Sequence, residues 1–394
     1  MKEKTFLYVS LWDHNAEKTK GLAIYSFDED TGAISHIKTI CEDTAYNQSL
    51  VDYANNMLYI NNETEHVPDV PYTSGRIFGY RMDENTGELT EVFRRPTGCP
   101  SPCYLELSEN GKYLLSAHHS CPESITTLRK GEDGTWQPVA LVNDSAVMLF
   151  ERNEDGTLGA LLDVKKHGSM EACFDGQGHP TNNHPHSWLR APLYHDLFCV
   201  PDKGDGYVYM YTIDQEKKEL VLCDRVLSDV PGSKARYCAY HPTLPYLFVN
   251  HENLTDGDMH VSVFRYDAQG HLERQGVYKG LLEDPDQSQI CSQQGLCIHP
   301  SGKYLYSICR NPAVVIVFEI DQETGALQVI QNVPVAGSFP RGIAISPDGR
   351  FVVTSCLFSP DLAVNAVGEN GTLTPTGHSD RLLGGSYISF FAPK

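Results

Sequence analysis

The chain has 394 residues, of which 41% are apolar and 21% are charged, so it has enough apolar material for a folded core. Its formal charge of −20 argues against binding to nucleic acid or to an anionic membrane surface, because both require a basic surface on the protein. No apolar run approaches the ~18–20 residues that span a bilayer, and the N-terminal residues enter a strand pattern without an apolar leader.

Two sequence phrases recur along the chain and divide it into similar units. The first phrase is a short strand, a turn that contains Pro or Gly, and a second apolar strand, as in 298–306 and 345–353. The second strand starts at positions with a mean spacing of about 57 residues, which is the range of repeat architectures. These seven anchor positions are Phe6, Met57, Tyr113, Leu197, Tyr246, Tyr304 and Phe351.

The second phrase has acidic residues followed by Gly and an apolar residue, as in 28–34 and 321–327. Asp, Asn and Gly tolerate the positive φ that tight hairpins require. Each unit therefore holds about four antiparallel strands, and no helical periodicity lies between them. The sequence predicts an all-β fold, a seven-bladed β-propeller.

The two ends of the chain are expected to meet. Residues 386–391 have the pattern of one innermost strand, and we expect it to complete the blade begun at Phe6, which closes the ring without a free edge. The whole chain, 1–394, is then a single domain. One anchor interval is too long, from Tyr113 to Leu197, and its surplus predicts an inserted hairpin at about 121–145 that could cover one mouth of the ring as a lid.

The start of the innermost strand is one structural position in every blade, so the residues that fill it should ring one mouth of the central channel. Aligned across the blades, they are Gln48, Cys103, His186, Arg236, Gln294, Arg341 and Tyr387. In an antiparallel blade the second strand ends at the same mouth. The residues there are Asn62, Glu63, His118, His119, Asp202, His251, Glu252, Arg310 and Asn311.

Two arginines in this ring are its strongest functional signal. A guanidinium keeps its charge, so Arg236 and Arg341 each need an anion nearby, either a ligand or a protein carboxylate such as Glu252 or Asp202. His186 is a candidate acid or base, since the ordinary pKa of histidine lies near neutrality. Ring positions that are filled by Gln, Cys or Tyr are more typical of structural lining.

Twelve cysteines and two groups of histidines raise the question of disulfides and metals. Without a secretion signal, we expect the cysteines to be reduced, buried thiols of a cytoplasmic protein. The histidine spacings match no tetrahedral zinc pattern, and the chain has no P-loop, nucleophile elbow or Cys-x-x-Cys pair, so we predict neither a metal nor a cofactor. The two groups are His118 and His119 with Cys121, and His179 with His184 and His186.

The same residues carry a family resemblance. The matching pieces are Thr31-Gly32-Ala33, His184-Pro185-His186, Val200-Pro201-Asp202, Ala235-Arg236, Glu252, and Phe339-Pro340-Arg341 with Ser346-Pro347-Asp348-Gly349. From Phe6 to Phe391, and most weakly over 121–183, the chain resembles the lactonase-type seven-bladed propellers. That family includes bacterial 6-phosphogluconolactonases and fungal carboxy-muconate lactonising enzymes.

The resemblance implies an enzyme that hydrolyses a sugar-acid lactone, with no cofactor and a small anionic lactone or sugar acid as its substrate. It implies a catalytic site of His186 (or His184), Arg236, Glu252 and Arg341. Around these we expect a substrate-binding group of His184, Glu63, His119, Asp202 and Gln294. The chain departs from the family where His is common, since Gly342 follows Arg341 and Tyr104 stands in the second blade. These departures affect the choice of substrate rather than the fold.

Under this hypothesis Arg236 and Arg341 hold the carboxylate or phosphate of the substrate, and one of them stabilises the oxyanion, worth roughly 3–4 kcal/mol in a dry site. His186 activates water or protonates the leaving oxygen, with Glu252 orienting it or acting as the base. Two alternatives stay open: a muconate-type cycloisomerase that uses the same site, and a non-catalytic propeller that binds a protein partner. The sequence specifies no oligomeric state.

Overall fold

A computed structural model of the chain describes residues 4–119, 124–142, 145–168, 182–228, 234–252, 258–283 and 292–393. The regular structure of these residues is β-strand, arranged as seven four-stranded antiparallel sheets and one two-stranded hairpin. The predicted all-β, seven-bladed propeller is therefore confirmed. No helix that is long and apolar enough to cross a membrane occurs in the described part of the chain.

Thirty strands make up the described fold. In chain order they are β1 (Thr5–Leu11), β2 (Gly21–Phe27), β3 (Ile34–Ile40), β4 (Ser49–Asp52), β5 (Met57–Asn62), β6 (Arg76–Met82), β7 (Leu89–Pro96), β8 (Pro102–Leu107), β9 (Tyr113–His118), β10 (Ser124–Lys130), β11 (Trp136–Val142), β12 (Ala146–Arg152), β13 (Leu158–Lys166), β14 (Leu189–Arg190), β15 (Leu197–Pro201), β16 (Tyr207–Asp214), β17 (Glu219–Leu227), β18 (Lys234–Tyr240), β19 (Tyr246–Glu252), β20 (His260–Tyr266), β21 (Leu272–Lys279), β22 (Gln293–Ile298), β23 (Tyr304–Arg310), β24 (Ala313–Ile320), β25 (Leu327–Pro334), β26 (Pro340–Ile345), β27 (Phe351–Cys356), β28 (Leu362–Val367), β29 (Leu373–Asp380) and β30 (Gly385–Phe391).

From the innermost strand outwards, blade 1 is β30-β1-β2-β3, and blade 2 is β4-β5-β6-β7. Blade 3 is β8-β9-β12-β13, and blades 4 to 7 are formed by β14–β17, β18–β21, β22–β25 and β26–β29. The second strands β5, β9, β15, β19, β23 and β27 begin at the predicted anchors, while Phe6 is the second residue of β1.

The turn glycine of the second recurring phrase packs against the anchor residue of the first phrase in the adjacent blade. Gly32 lies in the outer turn of blade 1 at φ +74°, and a Cβ atom there would overlap the ring of Phe351, the anchor of blade 7. The positive φ and the neighbouring blade both exclude a side chain at position 32. This explains why the glycine of one phrase and the anchor residue of the other recur with the same spacing. The equivalent pairs are Gly87 with Phe6, Gly156 with Met57, Gly270 with Leu197, Gly325 with Tyr246, and Gly371 with Tyr304.

The ring closes as predicted, by antiparallel pairing of β30 with β1, in which Phe6 lies opposite Phe391. Phe391 is fully buried, and its ring lies 6.4 Å from the rings of both Phe6 and Tyr8. The last strand of the chain therefore supplies core contacts to the first.

A hairpin of β10 and β11 stands between β9 and β12, in the region of the expected insertion. Its residues Ile125, Leu128 and Trp136 are each about two-thirds exposed. The segments that join it to blade 3, 120–123 and 143–144, lie outside the described residues, so its lid role stays a prediction. The nine described cysteines carry free thiols.

We expect Phe391→Ala to lower the free energy of unfolding by about 3–5 kcal/mol, because it empties a buried aromatic site at the seam of the ring. Urea denaturation at 25 °C measures this. Tyr72→Ala serves as the control, since Tyr72 is 53% exposed, and its change should stay within about 0.5 kcal/mol. Equal effects of the two substitutions would contradict the role assigned to the seam.

Candidate active site

β-Bulges direct three of the residues that ring the channel mouth. The register of β18 with β19 shifts between Ala235 and Cys238, so that Arg236 stands in a bulge. Shifts in β22 and β26 place Gln294 and Arg341 in the same way. A bulge turns a side chain out of the regular alternation of the strand, which lets it point into the channel.

Asn250, on the second strand β19, supports two of these bulges. Its Oδ1 accepts a hydrogen bond from the backbone N–H of Tyr237 at 3.0 Å, and its Nδ2 donates to the backbone carbonyl of Gln294 in the next blade at 2.9 Å. Backbone groups that the bulge leaves unpaired are thereby satisfied inside the protein. The positions of Arg236 and Gln294 are fixed relative to each other.

Glu252 is the centre of the first charged cluster. Its Oε2 lies 2.6 Å from Nζ of Lys203 and 3.3 Å from Nε of Arg236, and its Oε1 accepts a hydrogen bond from Nη2 of Arg310 at 3.0 Å. Gln294 bridges the cluster, since its Nε2 donates to Oε1 of Glu252 at 3.3 Å and its Oε1 accepts from Nη1 of Arg236. Burial acts to raise the pKa of Glu252, but the three cations hold it well below its usual range.

Glu63 is the centre of the second charged cluster. Its Oε1 accepts a hydrogen bond from Nε2 of His119 at 2.6 Å, and its Oε2 lies 3.4 Å from Nη2 of Arg341. Asn47 donates to the same Oε2 and accepts from Arg341 at 3.1 Å. Burial acts to raise the pKa of Glu63, but His119 and Arg341 lower it to about 2. The guanidinium of Arg341 also lies 4.2 Å from the ring of Trp12.

His186 joins the two clusters. Its Nε2 accepts a hydrogen bond from Nε of Arg236 at 3.2 Å, and its ring lies nearly parallel to that of His119, with 5.7 Å between centroids. Burial and the charge of Arg236 lower the pKa of His186 well below its usual range. The side chain is therefore neutral, and because Nε2 is an acceptor, the proton of the imidazole lies on Nδ1.

Asp202 and His184 lie at the mouth but differ from expectation. Oδ1 of Asp202 accepts from the backbone N–H groups of His184 and Gly204 at 2.7 and 2.8 Å, and Oδ2 lies 2.8 Å from Nδ1 of His167. Asp202 is fully buried by these partners and forms no ion pair with either ring arginine within the described residues. Burial lowers the pKa of His184 to about 3, and its ring lies 5.5 Å from that of His119.

The structure thus brings together eight of the predicted site residues in one continuous network at one mouth. They are His186, Arg236, Glu252, Arg341, His184, Glu63, His119 and Gln294. Asp202 is attached to the network through the backbone of His184. Glu252 and Asp202 were considered as partners of the arginines. Glu252 pairs with Arg236, but Arg341 pairs with Glu63 instead of Asp202.

Three charged or aromatic members of the network were not assigned to the site from the sequence. Arg310 was placed at the mouth but given no role, and its guanidinium stacks on the ring of Phe339 at 4.1 Å. Lys203 and Trp12 follow the ends of the second strands β15 and β1. The rule that the second strand of a blade ends at the mouth would therefore have found them. Burial lowers the pKa of Lys203, and the charge of Glu252 opposes that shift.

Beneath the charged residues the channel is narrow and lined by aromatic rings. Tyr104, Tyr237 and Tyr387 surround a cavity of about 30 Å³ together with the backbone at Gly295. The hydroxyl groups of Tyr104 and Tyr387 lie 3.4 Å apart, and Arg236 lies over the ring of Tyr237 at 4.8 Å. At Gly342 a Cβ atom would overlap the side-chain oxygen of Ser355.

In the two ion-pair clusters the charges do not balance as far as the described residues extend. Lys203, Arg236, Arg310 and Arg341 face Glu252 and Glu63 there, while the buried carboxylate of Asp202 is bonded to His167 and to the backbone of its own turn. Within the described residues, the buried Nε atoms of Arg310 and Arg341 and Nδ1 of His186 have no hydrogen-bond partner. The mouth therefore offers charge and donors to an anion with several acceptor oxygens.

No three His, Cys, Asp or Glu side chains among the described residues are arranged to hold a metal ion. The Nδ1–H of His118 instead donates to the backbone carbonyl of Pro100 at 3.2 Å, and its Nε2 lies 2.9 Å from Oγ of Ser116. Cys121 and His179, which completed the two histidine groups in the sequence, lie outside the described residues.

Several known proteins are similar to this chain in sequence or in structure. A protein of Bacillus subtilis named 6-phosphogluconolactonase is 25% identical over 341 residues, covering 84% of this chain and 83% of the relative. A protein of the same name from Formosa agariphila is 22% identical over 352 residues, covering 87% of each. The solved structure of the periplasmic gluconolactonase of Pseudomonas aeruginosa shares the fold, with a TM-score of 0.79 at 22% identity, covering 99% of this chain and 100% of that one.

The family model described as "Lactonase, 7-bladed beta-propeller" matches residues 7–390. That span runs from β1 to β30 and so includes every blade and both charged clusters. The chain belongs to the lactonase family of seven-bladed β-propellers.

Proposed function

We propose that this protein hydrolyses the lactone of a sugar acid that carries an anionic group, such as 6-phosphoglucono-δ-lactone. The observation that carries the proposal is that cations outnumber carboxylates in the two ion-pair clusters at the mouth, among the described residues of a chain whose formal net charge is −20. Buried cations in a protein of that overall charge need a local reason, and an anionic substrate supplies one. The names of the Bacillus and Formosa relatives support the same substrate class.

In this proposal the four cations have two different roles. Arg310 and Lys203 attract the anionic group of the substrate, because they are the most exposed of the four cations, at 15% and 23% of their side chains. Arg236 and Arg341 are almost completely buried and held by Glu252 and Glu63, so they serve as fixed donors to the oxyanion that develops at the lactone carbonyl. Donors fixed in advance stabilise that charge without reorganisation.

The roles first expected of His186 and Glu252 change. Nε2 of His186 already accepts from Arg236, so we assign it a donor role through its Nδ1–H, toward the substrate. Glu252, ionised and bound by three cations, is a weak proton acceptor and holds those cations in place. Gln294 connects Glu252 to Arg236, while Asp202 fixes the backbone that presents His184.

The direct test is a lactone panel with the purified protein in a pH-stat, corrected for spontaneous ring opening. We expect turnover of 6-phosphoglucono-δ-lactone with a kcat/KM about 10-fold or more above that of glucono-δ-lactone, because one charge-assisted hydrogen bond contributes about 1.5–3 kcal/mol. A carboxy-muconate, followed by loss of ultraviolet absorbance, tests the cycloisomerase alternative. Turnover of the muconate alone, or of nothing above the spontaneous rate, would overturn the proposal.

Arg341→Ala should lower kcat/KM on the preferred lactone by about 10²–10³-fold, the usual cost of removing one oxyanion donor. Arg350→Ala is the matched control, since Arg350 is half-exposed, pairs with Asp348, and lies before β27 at the opposite end of the blade. It should keep the wild-type kcat/KM. Undiminished activity of Arg341→Ala, with folding checked by its melting temperature, would remove Arg341 from the site.

Acid should destabilise the protein through Glu63. Its pKa in the folded state is lowered to about 2 from an ordinary 4.5, so its ion pairs contribute stability above pH 4.5 that is lost as the pH falls toward 2. The full contribution is about 3 kcal/mol. Unfolding free energies measured by urea between pH 6 and pH 3 should fall less steeply for Glu63→Gln than for the wild type. Parallel curves would contradict this assignment.

A further inference from the structure

Phe339 is an aromatic residue of the mouth to which the proposed function gives no role. It lies in blade 7 immediately before β26, and its ring stacks on the guanidinium of Arg310, which ends β23 in blade 6. We propose that Phe339 is a positioning residue that orients Arg310 toward the anionic group of the substrate and thereby sets a preference for a phosphorylated lactone. The inference rests on the proposed lactone hydrolysis and adds to it the residue that controls this preference.

The guanidinium of Arg310 has few polar contacts that could fix its orientation. Within the described residues it forms one hydrogen bond, from Nη2 to Oε1 of Glu252 at 3.0 Å, and its buried Nε has no partner. A planar group that is held at one nitrogen can still turn about that contact. Flat contact with the ring of Phe339, whose centroid lies 4.1 Å away, fixes the plane of the group.

Arg341 shows how a guanidinium is held by more partners. It stacks on the ring of Trp12 at 4.2 Å, but it also lies 3.4 Å from Oε2 of Glu63 and donates to Asn47 at 3.1 Å. Its side chain is 5% exposed, whereas that of Arg310 is 15% exposed. Arg310 therefore keeps access to the mouth, and its aromatic contact has the larger share in setting its direction.

The chain holds Phe339 in an uncommon backbone conformation. Its φ is +58°, in the left-handed region that a bulky side chain rarely adopts, and such a conformation persists only where the surroundings impose it. Here the loop between β27 and β28 does so. The carbonyl of Phe339 accepts from the N–H of Leu357 at 3.0 Å, and that of Ser338 accepts from Phe358 at 3.3 Å. Oγ of Ser359 accepts from the N–H of Ser338 at 2.6 Å.

Phe358 completes a stack of three flat groups. Its ring lies 4.2 Å from that of Phe339, with 29° between the two planes, and 47% of the residue is exposed. Because two groups so close to one ring must occupy its opposite faces, Phe339 lies between Phe358 and the guanidinium of Arg310. Phe339 therefore cannot turn away from Arg310 without losing contact on both faces.

The electrostatics of Arg310 favour a second anionic partner. Burial lowers the pKa of Arg310 to about 9, and the charges of Arg236 and Arg341 act in the same direction, whereas Glu252 opposes them. The guanidinium is still charged at neutral pH, and an anion beside it would offset the repulsion from the other two arginines. A phosphate group suits this position better than a carboxylate, because it carries more charge and three acceptor oxygens.

The test measures KM and kcat of Phe339 variants on 6-phosphoglucono-δ-lactone and on glucono-δ-lactone. Phe339→Ala should raise KM for the phosphorylated lactone about 10-fold, the loss expected when one desolvated cation–aromatic contact no longer holds the binding group. Its kcat on both lactones and its KM for the neutral lactone should stay close to the wild-type values, because the oxyanion donors Arg236 and Arg341 are retained.

Two further substitutions separate the aromatic face from simple packing. Phe339→Leu keeps an apolar side chain but has no aromatic face, so it should behave like Phe339→Ala. Phe339→Tyr keeps the face and should retain the wild-type preference. Tyr53→Ala is the matched control, since Tyr53 is 42% exposed and lies in the β4–β5 turn at the opposite end of the ring. It should leave KM and kcat on both lactones unchanged.

A double-mutant cycle shows whether Phe339 acts through Arg310. Arg310→Ala should raise the same KM at least as much as Phe339→Ala does, and the double variant should match Arg310→Ala, because the ring then has no guanidinium to orient. Independent, multiplying increases in KM would overturn the positioning role. A fall of kcat on both lactones would place the effect at Arg341, which follows two residues later, and would overturn it as well.

The outcomes distinguish this inference from the proposal on which it rests. A wild-type protein that hydrolyses no lactone, or that does not prefer the phosphorylated one, overturns both. A wild type with that preference, whose Phe339→Ala and Phe339→Leu variants keep it, overturns the role of Phe339 alone. Loss of the preference in these two variants and its retention in Phe339→Tyr support the role. Melting temperatures check folding, and if Phe339→Ala does not fold, the contrast between the Leu and Tyr variants decides.

Discussion

The arrangement of the channel mouth depends on buried cations that outnumber the carboxylates paired with them in the described ion-pair clusters. Among the described residues, the two ion-pair clusters at one mouth consist of four cationic side chains and two carboxylates. Taking a charge out of water costs several kcal/mol unless partners replace the water. Glu252 and Glu63 meet that cost in part, and the proposed anionic substrate would meet the remainder.

The propeller makes this arrangement possible by repeating one local device. Bulges in β18, β22 and β26 turn Arg236, Gln294 and Arg341 into the channel. Asn250 forms hydrogen bonds with the backbone groups that two of these bulges leave unpaired. Each blade contributes only one or two polar groups, so no single blade has to accommodate the whole charge. The packing of a turn glycine against the anchor of the adjacent blade fixes the blades relative to one another, as with Gly32 and Phe351.

Two carboxylates of one type acquire different tasks from their partners. Glu252 faces three cations and no histidine donor, so its charge serves to hold those cations. Glu63 faces one arginine and one histidine, so its charge acts on an imidazole. His186 and His119 also differ in their partners, because Nε2 of His186 accepts a hydrogen bond from Arg236 while Nε2 of His119 lies 2.6 Å from Oε1 of Glu63. Residues of one type are thus distinguished by their surroundings.

The sequence by itself determined the seven blades, the closing strand and the ring of residues at one mouth. These follow from local rules, because strand alternation and turn chemistry act over a few residues and repeat with the blade period. Only the tertiary structure decided which charges pair. Arg341 lies 294 residues from Asn47 in the sequence, yet the two are hydrogen-bonded across the closed ring, and Glu63 rather than Asp202 is the carboxylate beside them. Asp202 bonds the backbone of its own turn instead, a choice that depends on side-chain direction and burial. Because such pairings are set by distances across the channel, they are absent from any repeat in the sequence.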